Sequence, residues 1–99
     1  MRLEITESQI KQQVKMYLTL RGIFNAHLTQ GLGCYPGLPD RFLHVKGRVV
    51  YLEIKRLGNK LSDHQRAFQA QCLADSVPYW VIHSVEELEE ELANVDFLR

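Results

Sequence analysis

The chain has 99 residues, of which 45% are hydrophobic and 24% are charged, and Lys plus Arg equal Asp plus Glu in number. This length and composition suit a single small domain, residues 1–99, and argue against a disordered chain. No run approaches the ~18 apolar residues of a membrane span, and the first residues lack the apolar run of a signal peptide, so we expect a cytoplasmic protein with no membrane partner.

The net charge of zero conceals two oppositely charged parts of the chain. Residues 1–72 contain eleven Lys and Arg against five Asp and Glu, whereas residues 73–99 contain one against seven. The basic part could attract a polyanion, and the acidic part could equally fold back and neutralise it. Charge alone therefore neither indicates nor excludes nucleic acid as a partner.

Three capping boxes predict where helices begin. The first, Thr6 to Gln9, predicts a helix over residues 6–21. The second, Ser62 to Gln65, predicts a helix that ends near Asp75. Its inward side is predicted to carry Gln65, Phe68 and Cys72, with Leu73 beside them. The third, Ser84 to Glu87, opens a last, acidic helix.

Four short apolar runs predict strands, at residues 23–28, 41–45, 48–55 and 77–82. Lys46-Gly47 has the length and glycine content of a tight hairpin turn between the second and third strands. The predicted order is α-β-β-β-α-β-α, an α+β fold. The longest loop, residues 29–39, contains three Gly and two Pro, and a loop of this length in a small domain is commonly functional.

The predicted hairpin brings charged residues together at one end of the sheet. Alternation along the third strand places Glu53 and Lys55 on one face, and the Lys46-Gly47 turn places Asp40 at the level of Glu53. Adjacent carboxylates are unfavourable without a cation, and oxygen ligands suit Mg²⁺ or Mn²⁺. The alternative is an exposed ion pair of Glu53 with Lys55 or Arg56 on a solvated strand face.

Glu7 is the unusual residue of the first helix. At ~100° per residue it projects within ~20° of Val14 and Leu18, at one end of the stripe that should face the core. Glu7 could therefore join the carboxylates of the predicted site. An acidic residue in the first turn is also favoured by the helix dipole, so both interpretations stand.

Four segments stand out in chain order: TESQI at 6–10, PGLPD at 36–40, YLEIKR at 51–56 and GNKLSDHQ at 58–65. Together they resemble the PD-(D/E)xK nuclease superfamily, and within it the VRR-NUC family of virus-type replication-repair nucleases. The resemblance extends over essentially the whole chain, which is similar in size to stand-alone members. It implies a restriction-endonuclease-like domain with a small mixed sheet flanked by helices.

The resemblance also implies a metal site. Asp40 and Glu53 would be ligands of Mg²⁺ or Mn²⁺, together with the backbone carbonyl of Ile54. Glu7 would bind the ion through water or assist directly. Waters and a DNA phosphate would complete the coordination, as Mg²⁺ prefers.

Two further residues would act in catalysis. Lys55 would be the catalytic lysine, and Gln65 would orient the lysine, the water or the substrate, although its capping box also accounts for it. The implied activity is a metal-dependent structure-specific DNA endonuclease. The expected substrate is branched DNA such as a Holliday junction, with flaps or duplex as alternatives. We expect a homodimer in the cytoplasm of a bacterial or phage-infected cell.

Five cations lie on the predicted hairpin turn, strand end and helix start, where they could contact phosphates. They are Lys46, Arg48, Arg56, Lys60 and Arg66. Two other functions remain open on the sequence. The domain could be a non-catalytic module that binds nucleic acid or assembles with a protein, or it could cleave RNA, because no readable determinant for the 2′-hydroxyl is present.

Overall fold

The computed structural model describes residues 5–96, and the order of its elements confirms the predicted α-β-β-β-α-β-α fold. The three helices are α1 (Glu7–Leu20), α2 (Asp63–Ala74) and α3 (Val85–Asn94). The four strands are β1 (Asn25–His27), β2 (Arg41–Val45), β3 (Arg48–Ile54) and β4 (Tyr79–Ile82). In this part of the chain no helix is both long enough and apolar enough to cross a membrane.

The strands form one mixed sheet in the order β1-β2-β3-β4. The first two pairings are antiparallel and the third is parallel, with α2 in the crossover between β3 and β4. Lys46 and Gly47 both have positive φ, at 50° and 79°, as a two-residue hairpin turn of type I′ requires. The turn fixes the register in which Arg41 pairs with Leu52, so Asp40 falls opposite Glu53 as predicted.

One face of the sheet carries the hydrophobic core, against which α1 and α3 pack. The buried side chains are Ile10, Val14 and Leu18 of α1, Leu43, Val45, Val50, Leu52, Ile54 and Ile82 of the sheet, and Leu88 of α3. Each fully buried aliphatic side chain contributes about 1.5–3 kcal/mol. This packing fixes α1 relative to the strand ends, and with it the backbone positions from which the side chains of its first turns extend.

The other face of the sheet is covered by α2. Phe68 contacts the rings of Tyr51 and Tyr79, with centroids 5.1 and 6.0 Å apart. Cys72 is buried as predicted, whereas Leu73 is 82% exposed, so the prediction for Leu73 was wrong. Consecutive side chains on a helix point about 100° apart, so Leu73 points away from the direction of Cys72. The strip of α2 that contacts the sheet is too narrow to include Leu73.

Each helix begins at its predicted cap. The first two capping boxes are complete, with reciprocal hydrogen bonds at Thr6 and at Ser62. At α3 the Ser84 hydroxyl accepts from the Glu87 N–H, but the Glu87 carboxylate binds the backbone N–H and ring of His83. The third box is therefore only half formed, and the hydroxyl alone is enough to set the helix start.

Candidate active site

The loop before β2 is packed against the start of α2. Gly37 has φ +88°, and a Cβ atom at this position would collide with the backbone carbonyl of His64 and lie 3.0 Å from the Gln65 nitrogen. Only glycine allows this approach. The contact ties the segment that leads into Asp40 to the helix that carries Gln65.

We expect Gly37→Ala to lower the free energy of unfolding by about 2–3 kcal/mol, because it adds a backbone clash to the strain of positive φ. Gly33→Ala is the matched control: Gly33 has φ +86° but nothing within 4 Å of its would-be Cβ. Urea unfolding of both variants separates the cost of the backbone clash, which only Gly37→Ala has, from the cost of a positive φ, which both have. Equal destabilisation of the two proteins would contradict a structural role for the contact.

Two carboxylates lie buried side by side where β2 begins and β3 ends. Asp40 is 7% exposed and Glu53 is 2% exposed. Asp40 Oδ2 accepts a 2.7 Å hydrogen bond from the Ile54 N–H. Gln65 Nε2 donates to Glu53 Oε2 at 3.3 Å, and Lys55 Nζ lies 3.8 Å from the same oxygen. Four of the predicted catalytic side chains are therefore together.

Glu53 is strained electrostatically in this arrangement. Its Oε1 is buried and has no hydrogen-bond partner among the described residues. Burial, with the nearby Asp40 charge as a second cause, raises the pKa of Glu53 to about 8, and Lys55 offsets only part of the effect. A second cation beside this carboxyl would favour its charged form.

Glu7 is connected to this pair through a residue that the sequence analysis did not identify. Glu7 Oε1 accepts from the Arg56 N–H at 3.2 Å. Lys11 Nζ lies 3.5 Å from Glu7 Oε2 and 3.0 Å from Asp40 Oδ1. The i, i+4 spacing of Glu7 and Lys11 was the available signal, since it places both on one helix face.

These contacts shift both groups on α1. Burial raises the pKa of Glu7, but the Arg56 N–H and the Lys11 charge outweigh it, so the pKa lies below its ordinary value. Burial lowers the pKa of Lys11, and the hydrogen bond and charge of Asp40, with Glu7, raise it by more. Both groups are charged at neutral pH.

The five predicted phosphate contacts do not lie together. Lys46 lies in the hairpin turn and Arg48 directly follows it, about 20 Å along the strands from Asp40, and Arg48 donates to the Ser76 carbonyl. The other three, Arg56, Lys60 and Arg66, follow β3 or begin α2 at the end of the sheet that carries the carboxylates.

The acidic helix lies near the other end of α1. Glu89 of α3 pairs with Arg21 at 3.6 Å, and Arg21 caps the C-terminal end of α1. Glu7 is the first residue of that helix, about 20 Å away along its axis. The charge pattern had allowed the acidic helix to fold back and neutralise the basic part of the chain. The pairing of Glu89 with Arg21 instead holds α3 away from the cluster around Asp40 and Glu53.

The oxygen donors at the site fit a small hard cation. Among residues 5–96 no group of three His, Cys, Asp or Glu side chains could hold a metal ion, so side chains would supply two carboxylates, Asp40 and Glu53. An extended residue directs its N–H and C=O to the same neighbouring strand, which puts the Ile54 carbonyl on the Asp40 side. Mg²⁺ binds through one or two carboxylates and keeps several waters. The unpartnered Oε1 of Glu53 is the atom that such an ion would satisfy.

No protein-family model and no curated protein matches this sequence. The structure is similar to a solved structure described as "VRR_NUC domain", with a TM-score of 0.76 and 16% sequence identity over 91% of this chain and 97% of that one. At this level of identity the similarity concerns the fold, and it agrees with the family resemblance of the four sequence segments. The chain has the fold of a VRR_NUC domain.

Proposed function

We propose that the protein is a VRR-NUC nuclease that hydrolyses phosphodiester bonds of DNA with a bound divalent cation. The observation that carries the proposal is the buried pair of carboxyl groups of Asp40 and Glu53, which lies beside Lys55 and Gln65. Within this pair, Oε1 of Glu53 has no hydrogen-bond partner among the described residues. A buried pair of this kind is costly in an ordinary core. Its cost is understandable if the pair holds a cation for phosphoryl chemistry.

In the proposed reaction, each side chain of the site would have a separate role. When bound, Mg²⁺ or Mn²⁺ would polarise a phosphoryl oxygen and lower the pKa of its water. Asp40 and Glu53, with the Ile54 carbonyl, would hold the ion. The Lys55 side chain is only 15% exposed, and its ammonium would stabilise negative charge on the phosphate or orient the water. Gln65 would hold Glu53 through Oε2, which leaves Oε1 for the ion.

The proposed substrate is branched DNA, with the four-way junction first, and the proposed active form is a homodimer. The resemblance to stand-alone VRR-NUC members, which are similar to junction resolvases, supports both. Two symmetric sites allow two strands to be cut in one encounter. Arg56, Lys60 and Arg66, on the site's end of the sheet, would contact phosphates beside the cut.

Cleavage of labelled junction, flap and duplex DNA, with and without Mg²⁺ or Mn²⁺, tests the proposal. We expect cation-dependent cutting that Lys55→Ala lowers by about 10²–10³-fold, the usual cost of losing one group that stabilises transition-state charge. Lys15→Ala, which removes an exposed lysine of α1, is the control and should cut at the wild-type rate. Wild-type protein that cuts neither these substrates nor RNA of the same shapes would favour a non-catalytic binding or assembly module.

A further inference from the structure

Lys11 is a charged residue of the site to which the proposed function gives no role. It lies on α1, one turn after Glu7, and its ammonium is held between Asp40 Oδ1 at 3.0 Å and Glu7 Oε2 at 3.5 Å. The side chain is 42% exposed, so it can leave this position without opening the core.

The two oxygens of Asp40 are held by groups of different mobility. Oδ2 accepts from the backbone N–H of Ile54, which the sheet fixes in place. Oδ1 is bound to the end of a flexible lysine side chain. A divalent cation that binds Asp40 would therefore take Oδ1, and repulsion between the cation and an ammonium at hydrogen-bond distance from the same oxygen would displace Lys11.

Displacement would change the charge that the site presents to DNA. Without a cation, the Lys11 ammonium lies against the carboxylates of Glu7 and Asp40, and the Lys55 ammonium lies near Glu53. A divalent cation on Asp40 and Glu53 would neutralise both ligands and leave the Lys11 ammonium without its strongest partner. An exposed ammonium one side-chain length from the site then attracts a phosphate.

We infer that Lys11 is the counter-ion of the metal-free site, that a divalent cation displaces it from Asp40, and that the released ammonium then binds a DNA phosphate. The inference rests on the proposed function for its cation and its substrate. It makes Lys11 a phosphate contact that forms only in the cation-loaded protein, unlike a permanently exposed surface lysine.

Calorimetric titration of the DNA-free protein with MnCl₂ tests the first half. Lys11→Met removes the competing ammonium, and we expect it to bind Mn²⁺ about 3–10-fold more tightly than the wild type. Lys11→Arg, which keeps the charge, and Lys15→Met, which removes a lysine one turn further along α1, should both bind like the wild type. Thermal unfolding of each variant checks that it is folded, and Lys11→Gln replaces Lys11→Met if the latter is not.

Fluorescence anisotropy with labelled junction DNA tests the second half, in the Lys55→Ala background to prevent cutting. With MgCl₂ present we expect Lys11→Met to weaken binding several-fold and to lower the salt slope by about one. With EDTA the two proteins should bind DNA equally. The same loss of affinity in EDTA would show a permanent phosphate contact and overturn the inference.

The outcomes separate this inference from the function on which it rests. If the wild type binds Mn²⁺ and Lys11→Met binds it equally or more weakly, Lys11 is not a displaced counter-ion, and the nuclease proposal stands. If the wild type binds no Mn²⁺, the cation site itself is absent and both proposals fail.

Discussion

Metal-free protein with the substitution Glu53→Gln is expected to be more stable than the wild type at pH 8, by on the order of 4 kcal/mol, and to differ little from it at pH 4. The cause is the buried carboxyl, whose pKa is raised to about 8 by burial and by Asp40. Glutamine has the same shape, can still bind Gln65, and carries no charge that must be desolvated.

The direction of the pH dependence follows from the raised pKa. A carboxyl with a higher pKa in the folded state than in the unfolded state binds its proton more tightly when folded. Its contribution to stability is fully present below the ordinary glutamate pKa of 4.5 and is lost as the pH rises through about 8. The wild type should therefore lose this part of its stability between these two pH values, and Glu53→Gln should not.

Urea unfolding in EDTA at pH 4, 5, 6, 7 and 8 measures the effect, and the difference between the two proteins cancels the other titrating groups. Glu90→Gln, which removes an exposed carboxylate of α3, is the control and should follow the wild-type curve. Added MgCl₂ should stabilise the wild type by binding only its folded state, and it should stabilise Glu53→Gln much less. Parallel curves for wild type and Glu53→Gln would show that Glu53 is not the strained group.

The part of the site that lies on β2 and β3 was predictable from the sequence, because turn geometry and strand alternation determine it. A two-residue turn sets the hairpin register and strand alternation sets the faces, so the adjacency of Asp40 and Glu53 followed from Lys46-Gly47. Gln65 followed from its capping box, which places it in the first turn of α2. These features depend on residues close together in the chain.

The contacts made by Lys11 and Gly37 depend instead on how helices pack on the sheet. The approach of Lys11 to Asp40 requires the position of α1, which the core residues Ile10, Val14 and Leu18 determine over a long sequence separation. No pattern of residues close together in the sequence predicts the distance between Lys11 and Asp40. Gly37 was visible as a loop glycine, but its contact with the start of α2 is a tertiary one.

Asp40→Asn should have the largest effect on cleavage. Asparagine retains an oxygen that can accept from the Ile54 N–H, so we expect the fold to persist. It removes one of the two charges available to a cation, and a bound metal ion supplies several kcal/mol of transition-state stabilisation. We therefore expect cleavage to fall by about 10³-fold or more, with partial recovery at high Mn²⁺ concentration.

The loss from Asp40→Asn should be in cation binding and not in DNA binding. Asp40→Asn removes a negative charge from the surface that would face the DNA phosphates, so the affinity for junction DNA in EDTA should be unchanged or slightly increased. Asp75→Asn is the matched control, because Asp75 caps the opposite end of α2 from Gln65 and should leave cleavage intact. Calorimetry with Mn²⁺, anisotropy with uncut junction and urea unfolding on the same preparations separate metal, DNA and folding effects. An Asp40→Asn protein that cuts at the wild-type rate would place the catalytic centre elsewhere on the molecule.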